Sequence, residues 1–252
     1  MISLLRQKIR FGKLYIPNIK KAPILKSHRG LVQIKVGNCL QNCQLCVESC
    51  PSDAIQLNSL RIDMGKCVFC GDCETLCPQS LIQFSSNYRV SATEREKLVI
   101  NADSEKIDYD KIAIQSNETI TKLFGRSLKL RQVSAGGCNA CEMELNACSN
   151  INFDMGRFGI EFVASPRHAD GIVITGPISG NMAQALQDAY DSVPDPKIII
   201  LNGACAISGG VFTESEAINR EFLKKYKIDL YIPGCPVHPL TFINGVLRFL
   251  NR

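Results

Sequence analysis

Cys67-Val68-Phe69-Cys70-Gly71-Asp72-Cys73-Glu74-Thr75-Leu76-Cys77-Pro78 decides how the first half of this chain is read. Two residues separate each of the first three cysteines, three more lead to the fourth, and a proline stands directly behind it. Cysteines this close in sequence cannot usefully bridge one another. Three such thiolates can wrap three irons of a [4Fe–4S] cubane, whose fourth iron must be met from elsewhere in the chain. The proline lacks an amide hydrogen and disfavours helical geometry in the residue before it, so the chain turns away after Cys77.

Working outward, the run proves to be the second copy of a repeat. Cys50-Pro51-Ser52-Asp53-Ala54-Ile55-Gln56 matches Cys77-Pro78-Gln79-Ser80-Leu81-Ile82-Gln83 at an offset of 27, and Cys43 and Cys46 match Cys70 and Cys73 at the same offset. This duplicated pattern resembles bacterial two-cluster ferredoxins, in which the fourth cysteine of each run serves the other cluster. Cys67, Cys70, Cys73 and Cys50 are therefore expected to hold one cluster, and Cys39, Cys43, Cys46 and Cys77 the other. The first copy departs by one residue, since three residues rather than two separate Cys39 from Cys43. That extra residue is expected to bulge the loop and shift the potential of its cluster. A pair of zinc sites is the competing reading, against which the tandem triplets and crossing Cys-Pro pairs argue. A domain of about sixty residues buries little apolar surface, so clusters would serve as its core.

The whole chain has 252 residues, 45% of them hydrophobic and 21% charged, with thirteen cysteines and no tryptophan. Clustered cysteines of this kind point to metal thiolate sites in a reducing compartment rather than a secreted disulfide scaffold. The opening residues are interrupted by charge too early for a secretory apolar region, and no apolar run is long enough for a membrane span. A net charge of +5 is too weak to argue for nucleic acid. The basic residues are uneven, however: residues 1–30 hold eight Lys or Arg and no acid.

Four stretches follow from this. Residues 1–30 read as a basic arm, poor in helix or strand signals and most simply a solvated or partner-docking tail, with anionic lipid or an acidic subunit as possible contacts. Residues 31–90 read as the ferredoxin-like domain, residues 91–126 as a polar connector with a short helix at 92–98, and residues 127–252 as an α/β domain. In the last, strands are expected at Leu128–Val133, Ile160–Ala164, Gly171–Thr175, Lys197–Leu201 and Asp229–Ile232. Helices are expected at Met182–Ser192, Glu216–Tyr226 and Pro239–Asn251, the last with Leu240, Ile243, Leu247 and Leu250 on one core-facing side. The fold class is thus α+β followed by a flavodoxin-like parallel α/β domain.

Four more cysteines occur in the α/β stretch: Cys138 and Cys141, then Cys205 in Gly203-Ala204-Cys205, then Cys235 in Pro233-Gly234-Cys235-Pro236. Each group follows an expected strand, and loops at the carboxyl ends of parallel strands converge on one crevice. Spacing alone leaves a [4Fe–4S] cluster, a structural zinc and free thiols open here.

The runs Gly137–Leu145, Ala164–Pro177 and Gly203–Gly210 and the segment Pro233–Pro239 resemble the small subunit of membrane-bound, energy-converting [NiFe] hydrogenases of the formate hydrogenlyase type. That small subunit is related to the quinone-proximal iron–sulfur component of respiratory complex I. The resemblance implies that Cys138, Cys141, Cys205 and Cys235 bind the [4Fe–4S] cluster nearest a nickel–iron site on a separate large subunit. Two residues between Cys138 and Cys141 and the presence of His238 are hydrogenase-like, whereas the complex I protein typically has adjacent cysteines. Ala140 and Val237 depart from the commonest family residues and are not ligands. Residues 1–100 resemble a different, ferredoxin-type subunit of the same complexes, which implies a fusion of two neighbouring subunits.

The resemblance also implies a proton-relay role for Glu144, whose position fits better than that of Glu142, although acids at a helix N-terminus are favoured in any case. It places Arg167 and His168 in a motif near the cluster. Cys148, the thirteenth cysteine, reads as a small buried hydrophobe. No nucleotide-binding or hydrolase constellation is present. The expected function is electron transfer through three [4Fe–4S] clusters to or from a [NiFe] large subunit. The partners implied are other subunits of a membrane complex and a soluble electron donor, on the cytoplasmic face of the inner membrane. A complex I-like assembly without nickel is the alternative.

Overall fold

The computed structural model describes residues 2–37, 39–57, 59–102 and 122–252. The stretch expected to be duplicated is duplicated in space. Strand β1 (Val32–Ile34) pairs antiparallel with β4 (Ile82–Phe84), and β2 (Ile55–Gln56) pairs antiparallel with β3 (Arg61–Asp63). The registers match: Ile34 faces Ile82 as Ile62 faces Ile55, and Gln33 faces Gln83 as Arg61 faces Gln56. The short helices α2 (Leu45–Glu48) and α3 (Asp72–Leu76) begin 27 residues apart. Even the strained backbone repeats, with left-handed φ at Asn42 (59°) and Phe69 (58°), and again at Asp53 (48°) and Ser80 (50°). Ile34, Ile62, Ile82 and Ile55 supply the core of this part.

The offset between copies is 28 at Cys39 and Cys67 but 27 from Asn42 and Phe69 onward, so the extra residue is absorbed between Cys39 and Asn42. Leu40 stands where the second copy has Cys67, and Cys39 is exposed where Cys67 is buried.

The second half is a five-stranded sheet in the order β10-β9-β8-β6-β7. These strands are β6 (Leu128–Ser134), β7 (Ile160–Phe162), β8 (Gly171–Thr175), β9 (Ile198–Asn202) and β10 (Leu230–Ile232), all paired parallel. In chain order this is 2-1-3-4-5, the flavodoxin-like winding, with its switch point between β6 and β8. Every residue of β8 and β9 is buried, as a parallel sheet covered on both faces requires. Covering helices include α4 (Ala140–Ala147) and α5 (Gly180–Asp191). The short α6 (Ala204–Ser208) and α7 (Glu221–Lys225) join β9 to β10, and α8 (Pro239–Phe249) follows β10. No helix among the described residues is long and apolar enough to cross a membrane.

Three expectations are corrected. The arm contains a regular helix, α1 (Ile2–Phe11), whose Leu4, Leu5, Ile9 and Phe11 are exposed. Beyond it the arm is a strap rather than a tail, because Ile19 and Ala22 are buried and the Ile19 carbonyl accepts from Tyr88 Oη (3.1 Å) and Asn244 Nδ2 (3.1 Å). The expected helix at 216–226 is confined to α7, since Asn219 N donates to Ile178 O (2.7 Å) and Ile218 bridges to Ser179.

The stretch read as a connector carries structure as well. A 3₁₀ turn, Arg95–Leu98, leads into β5 (Val99–Asn101), which pairs with the outer edge of β3. Arg95 clamps Asp63 of that strand through two hydrogen bonds of 2.8 and 2.6 Å. Ala92 bridges to Tyr231 of β10, and Gly245 of α8 lies so close that an added Cβ would stand 3.2 Å from Ser91 Cβ. All eleven residues of α8 are buried, not one face alone. Within that stretch, residues 103–121 lie outside the described residues.

Candidate iron–sulfur sites

Cys39, Cys43, Cys46 and Cys77 line one cavity of the duplicated part, walled by Leu40, Leu45, Leu60 and Ile82. Cys50, Cys67, Cys70 and Cys73 line a second. The turn after each Cys-Pro pair aims an amide at the sulfur four residues back: Ala54 N donates to Cys50 Sγ (3.3 Å) and Leu81 N to Cys77 Sγ (3.4 Å). Phe69 N, on its left-handed residue, donates to Cys67 Sγ (3.3 Å). Such donors stabilise negative charge on sulfur and raise a cluster's potential. Burial pushes the thiols of Cys67 and Cys73 up to about 12, and their cysteine neighbours push the same way. Without metal these sulfurs would be protonated, so iron is the positive charge that could hold them as thiolates.

The other four cysteines meet at the carboxyl ends of the sheet strands. Cys138 and Cys141 follow β6, Cys205 follows β9 on α6, and Cys235 follows β10. Burial pushes the Cys141 thiol up to about 12 and Cys205 up to about 11. Cys205 and Cys235 are near enough to raise Cys141, and Cys235 and Cys138 near enough to raise Cys205. Gly203 is required at the centre of this group: its φ is +99°, and a Cβ there would lie 2.8 Å from Cys141 Sγ. Among the described residues no three Cys, His, Asp or Glu side chains converge closely enough to share a single metal ion. In the duplicated part the sulfurs stand around volumes rather than at points, which suits the separate corners of a cubane.

Beneath this site lies a polar row that sequence reasoning missed. Ser134, Thr175 and Asn202 end β6, β8 and β9. Ser134 Oγ and Thr175 Oγ1 each donate to Glu142 Oε1 at 2.7 Å, so Glu142 is buried and anchored one residue after Cys141. Asn202 is fully buried, and neither Nδ2 nor Oδ1 has a partner among the described residues. A buried amide left without a partner costs about 1–3 kcal/mol unless something present in the working protein satisfies it. An anionic cluster beside Gly203 could accept from the Nδ2 of that amide. The available signal was an asparagine closing the apolar run 198–201.

Glu144 lies half-buried in a cleft of about 270 Å³ between the two halves, with His28, Arg29, Phe69, Cys235 and His238 among its walls. Burial raises the Glu144 carboxyl. Arg29 Nη1 donates to Phe69 O (3.3 Å), and the His28 and His238 rings meet edge to face at 5.3 Å. Cys148 is fully buried, its thiol donating to Glu144 O (3.4 Å). Arg167 and His168, expected near the cluster, instead lie exposed in the turn at the amino end of β8, while the cysteine loops follow the strands' carboxyl ends.

Residues 138–249 match a family model described as NADH ubiquinone oxidoreductase, 20 Kd subunit, and residues 60–83 match a 4Fe-4S binding domain. The chain is 38% identical over 133 residues to the probable membrane-bound hydrogenase subunit mbhJ of Pyrococcus furiosus, covering 53% of this chain and 80% of that protein. It belongs to the 20 Kd subunit family. As a family member it is also 42% identical over 115 residues to an NADH-quinone oxidoreductase subunit of Heliobacterium modesticaldum, covering 45% of this chain and 66% of that one. A solved structure of the membrane-bound sulfane sulfur reductase, an archaeal respiratory membrane complex, shares 29% identity at a TM-score of 0.45, covering 53% of this chain and 73% of that one. The duplicated segment ahead of the family region makes this member an iron–sulfur protein with a ferredoxin-like part of its own.

Proposed function

We propose that the chain is the electron-transfer subunit of a membrane-associated [NiFe] hydrogenase complex, holding three [4Fe–4S] clusters next to a large subunit that carries the nickel–iron site. The coarser statement, an iron–sulfur subunit of a hydrogenase or complex I-like complex, rests on the family. The observation that carries the finer one is the grouping of twelve cysteines into three sets of four, two of them lining cavities and the third gathered at the sheet's carboxyl edge. Bound clusters would supply one-electron transfer at each set.

The chain's own residues give these sets an order. Phe69, whose amide donates to Cys67, shares a cleft with Cys235, so the set containing Cys67 neighbours the set containing Cys235. The set containing Cys39 is then the outer one, facing a soluble donor. The two residues between Cys138 and Cys141 favour the hydrogenase over a complex I-like assembly without nickel, which the NADH-quinone oxidoreductase relative keeps as the second reading. Peripheral contact with a membrane surface, proposed to be the cytoplasmic face of the inner membrane, is supported by α1 in its membrane part alone: exposed Leu4, Leu5, Ile9 and Phe11 stand beside Arg6, Lys8 and Arg10.

Iron and sulfide analysis with EPR on the anaerobically purified full chain tests the cluster number: three cubanes give about twelve irons per chain. Cys205→Ser should remove one signal and leave two. Zinc in place of iron, or three surviving signals in that variant, overturns the assignment. Hydrogen evolution by the complex, with two Cys-x-x-Cys pairs in the co-purified large subunit, separates the two readings.

A further inference from the structure

Arg220 is a partly buried cation that none of the foregoing uses. Its guanidinium spends its donors on four main-chain carbonyls. Nη1 donates to Pro177 O (3.1 Å) and Cys205 O (3.2 Å), and Nη2 to Ala206 O (2.8 Å) and Ile207 O (2.9 Å). Three of these acceptors belong to α6, the short helix that carries Cys205. The Cys205 carbonyl also accepts from Gly209 N (2.9 Å), and the other two lie in the last turn, where a helix leaves carbonyls without partners. The fourth follows Gly176, which packs against Gly137 so closely that a Cβ on Gly137 would lie 3.0 Å from Gly176 Cα. One side chain therefore ties the loop after β8, which backs the Cys138 loop, to the helix after β9.

The charge balance is unusual. Among the described residues no carboxylate forms a salt bridge with Arg220. A cation removed from water needs compensation, and four carbonyl dipoles supply only part of it. The Arg220 Nη1 lies 3.2 Å from the carbonyl of Cys205, a ligand of the proposed cluster. A cubane with four thiolate ligands is anionic and would complete that compensation. A fixed positive charge close to such a cluster stabilises its reduced, more negative state.

We propose that Arg220 is a positioning residue for the cluster held by Cys138, Cys141, Cys205 and Cys235, fixing the Cys205 helix and holding that cluster's midpoint potential up as its counter-charge. This rests on the reading of those four cysteines as a cluster site, which the same experiment checks separately. EPR-monitored redox titration of the full chain compares wild type with Arg220→Gln and Arg220→Lys. The expected result is one midpoint moved to a more negative value in the glutamine variant, the other two midpoints unmoved, and a much smaller shift in the lysine variant. Three unmoved midpoints in the glutamine variant overturn the proposal, as do equal shifts in both variants. If the glutamine variant assembles only about eight irons per chain, the lysine variant decides. A third cluster at a near-native midpoint upholds the proposal, and its loss overturns the counter-charge role. A wild-type chain with only two clusters overturns the site reading itself, and Arg220 with it.

Discussion

Two single residues show how tightly the cysteine sets are specified. Gly203 combines a φ of +99° with a 2.8 Å approach to Cys141 Sγ, so any side chain there meets both backbone strain and a steric clash. Gly203→Ala should cost about 1–3 kcal/mol, read as a lower denaturation midpoint, and should remove the Cys205-containing cluster while the other two signals persist. Cys39 makes the opposite point. It is exposed where its counterpart Cys67 is buried, because the chain spends an extra residue before Asn42. Brief exposure to oxygen should therefore bleach the cluster of Cys39, Cys43, Cys46 and Cys77 first, and Cys39→Ser should abolish that fast phase in the visible absorbance. The bulge was legible from the cysteine spacing. The anchoring of Glu142 was not, because its partners Ser134 and Thr175 lie 8 and 33 residues away and meet it only across the sheet.

At the level of elements, the strongly apolar strands were readable and the weakly patterned pieces were not. Gly171–Thr175 occupies its expected range, and the neighbouring strands shift by a residue or two at their ends. β5 is three residues long and exists through its pairing with β3, a partner 38 residues earlier by the Ile62–Ile100 pair. Such a strand has no local signature. α1 carries a helical period, with Leu5 and Ile9 four residues apart, but none of its described side chains is buried, so its apolar side meets no core. At the start of α8, His238 acts as the cap: its Nδ1 accepts from Leu240 N at 3.1 Å. Burial, with His28 beside it, lowers the His238 imidazole from 6.5 to about 4. Between those values the unfolded chain binds a proton that the folded one refuses, so stability falls as pH drops from 6.5 towards 4. Urea midpoints measured at pH 7.5, 6.5 and 5.5 should fall for the wild type, and His238→Asn, which keeps a cap without titrating, should flatten that slope.

Taken whole, the segment that looked least structured is one of the ties between the halves of the molecule. The strap at Ile19 touches both halves, through Tyr88 on one side and Asn244 of α8 on the other. A chain beginning at Gly12 loses α1, whose described side chains are all exposed, and should unfold at the wild-type midpoint. A chain beginning at Leu31 also loses buried Ile19 and Ala22 and should unfold earlier, since burying one isoleucine contributes about 1.5–3 kcal/mol. The ferredoxin-like and flavodoxin-like halves share one continuous apolar core, in which Ile34 and Ile62 belong with Ile172 and Leu201.

The Ile19–Asn244 contact has a consequence for how the protein is made. The two residues are 225 positions apart, so the strap leaves the ribosome long before its seat on α8 is made. Until α8 emerges, the Ile19 carbonyl has Tyr88 but not Asn244 to meet it, and the nascent chain carries a partly seated apolar strap. Closure of the strap therefore waits on α8, and conditions that slow that step leave the strap open to chaperones.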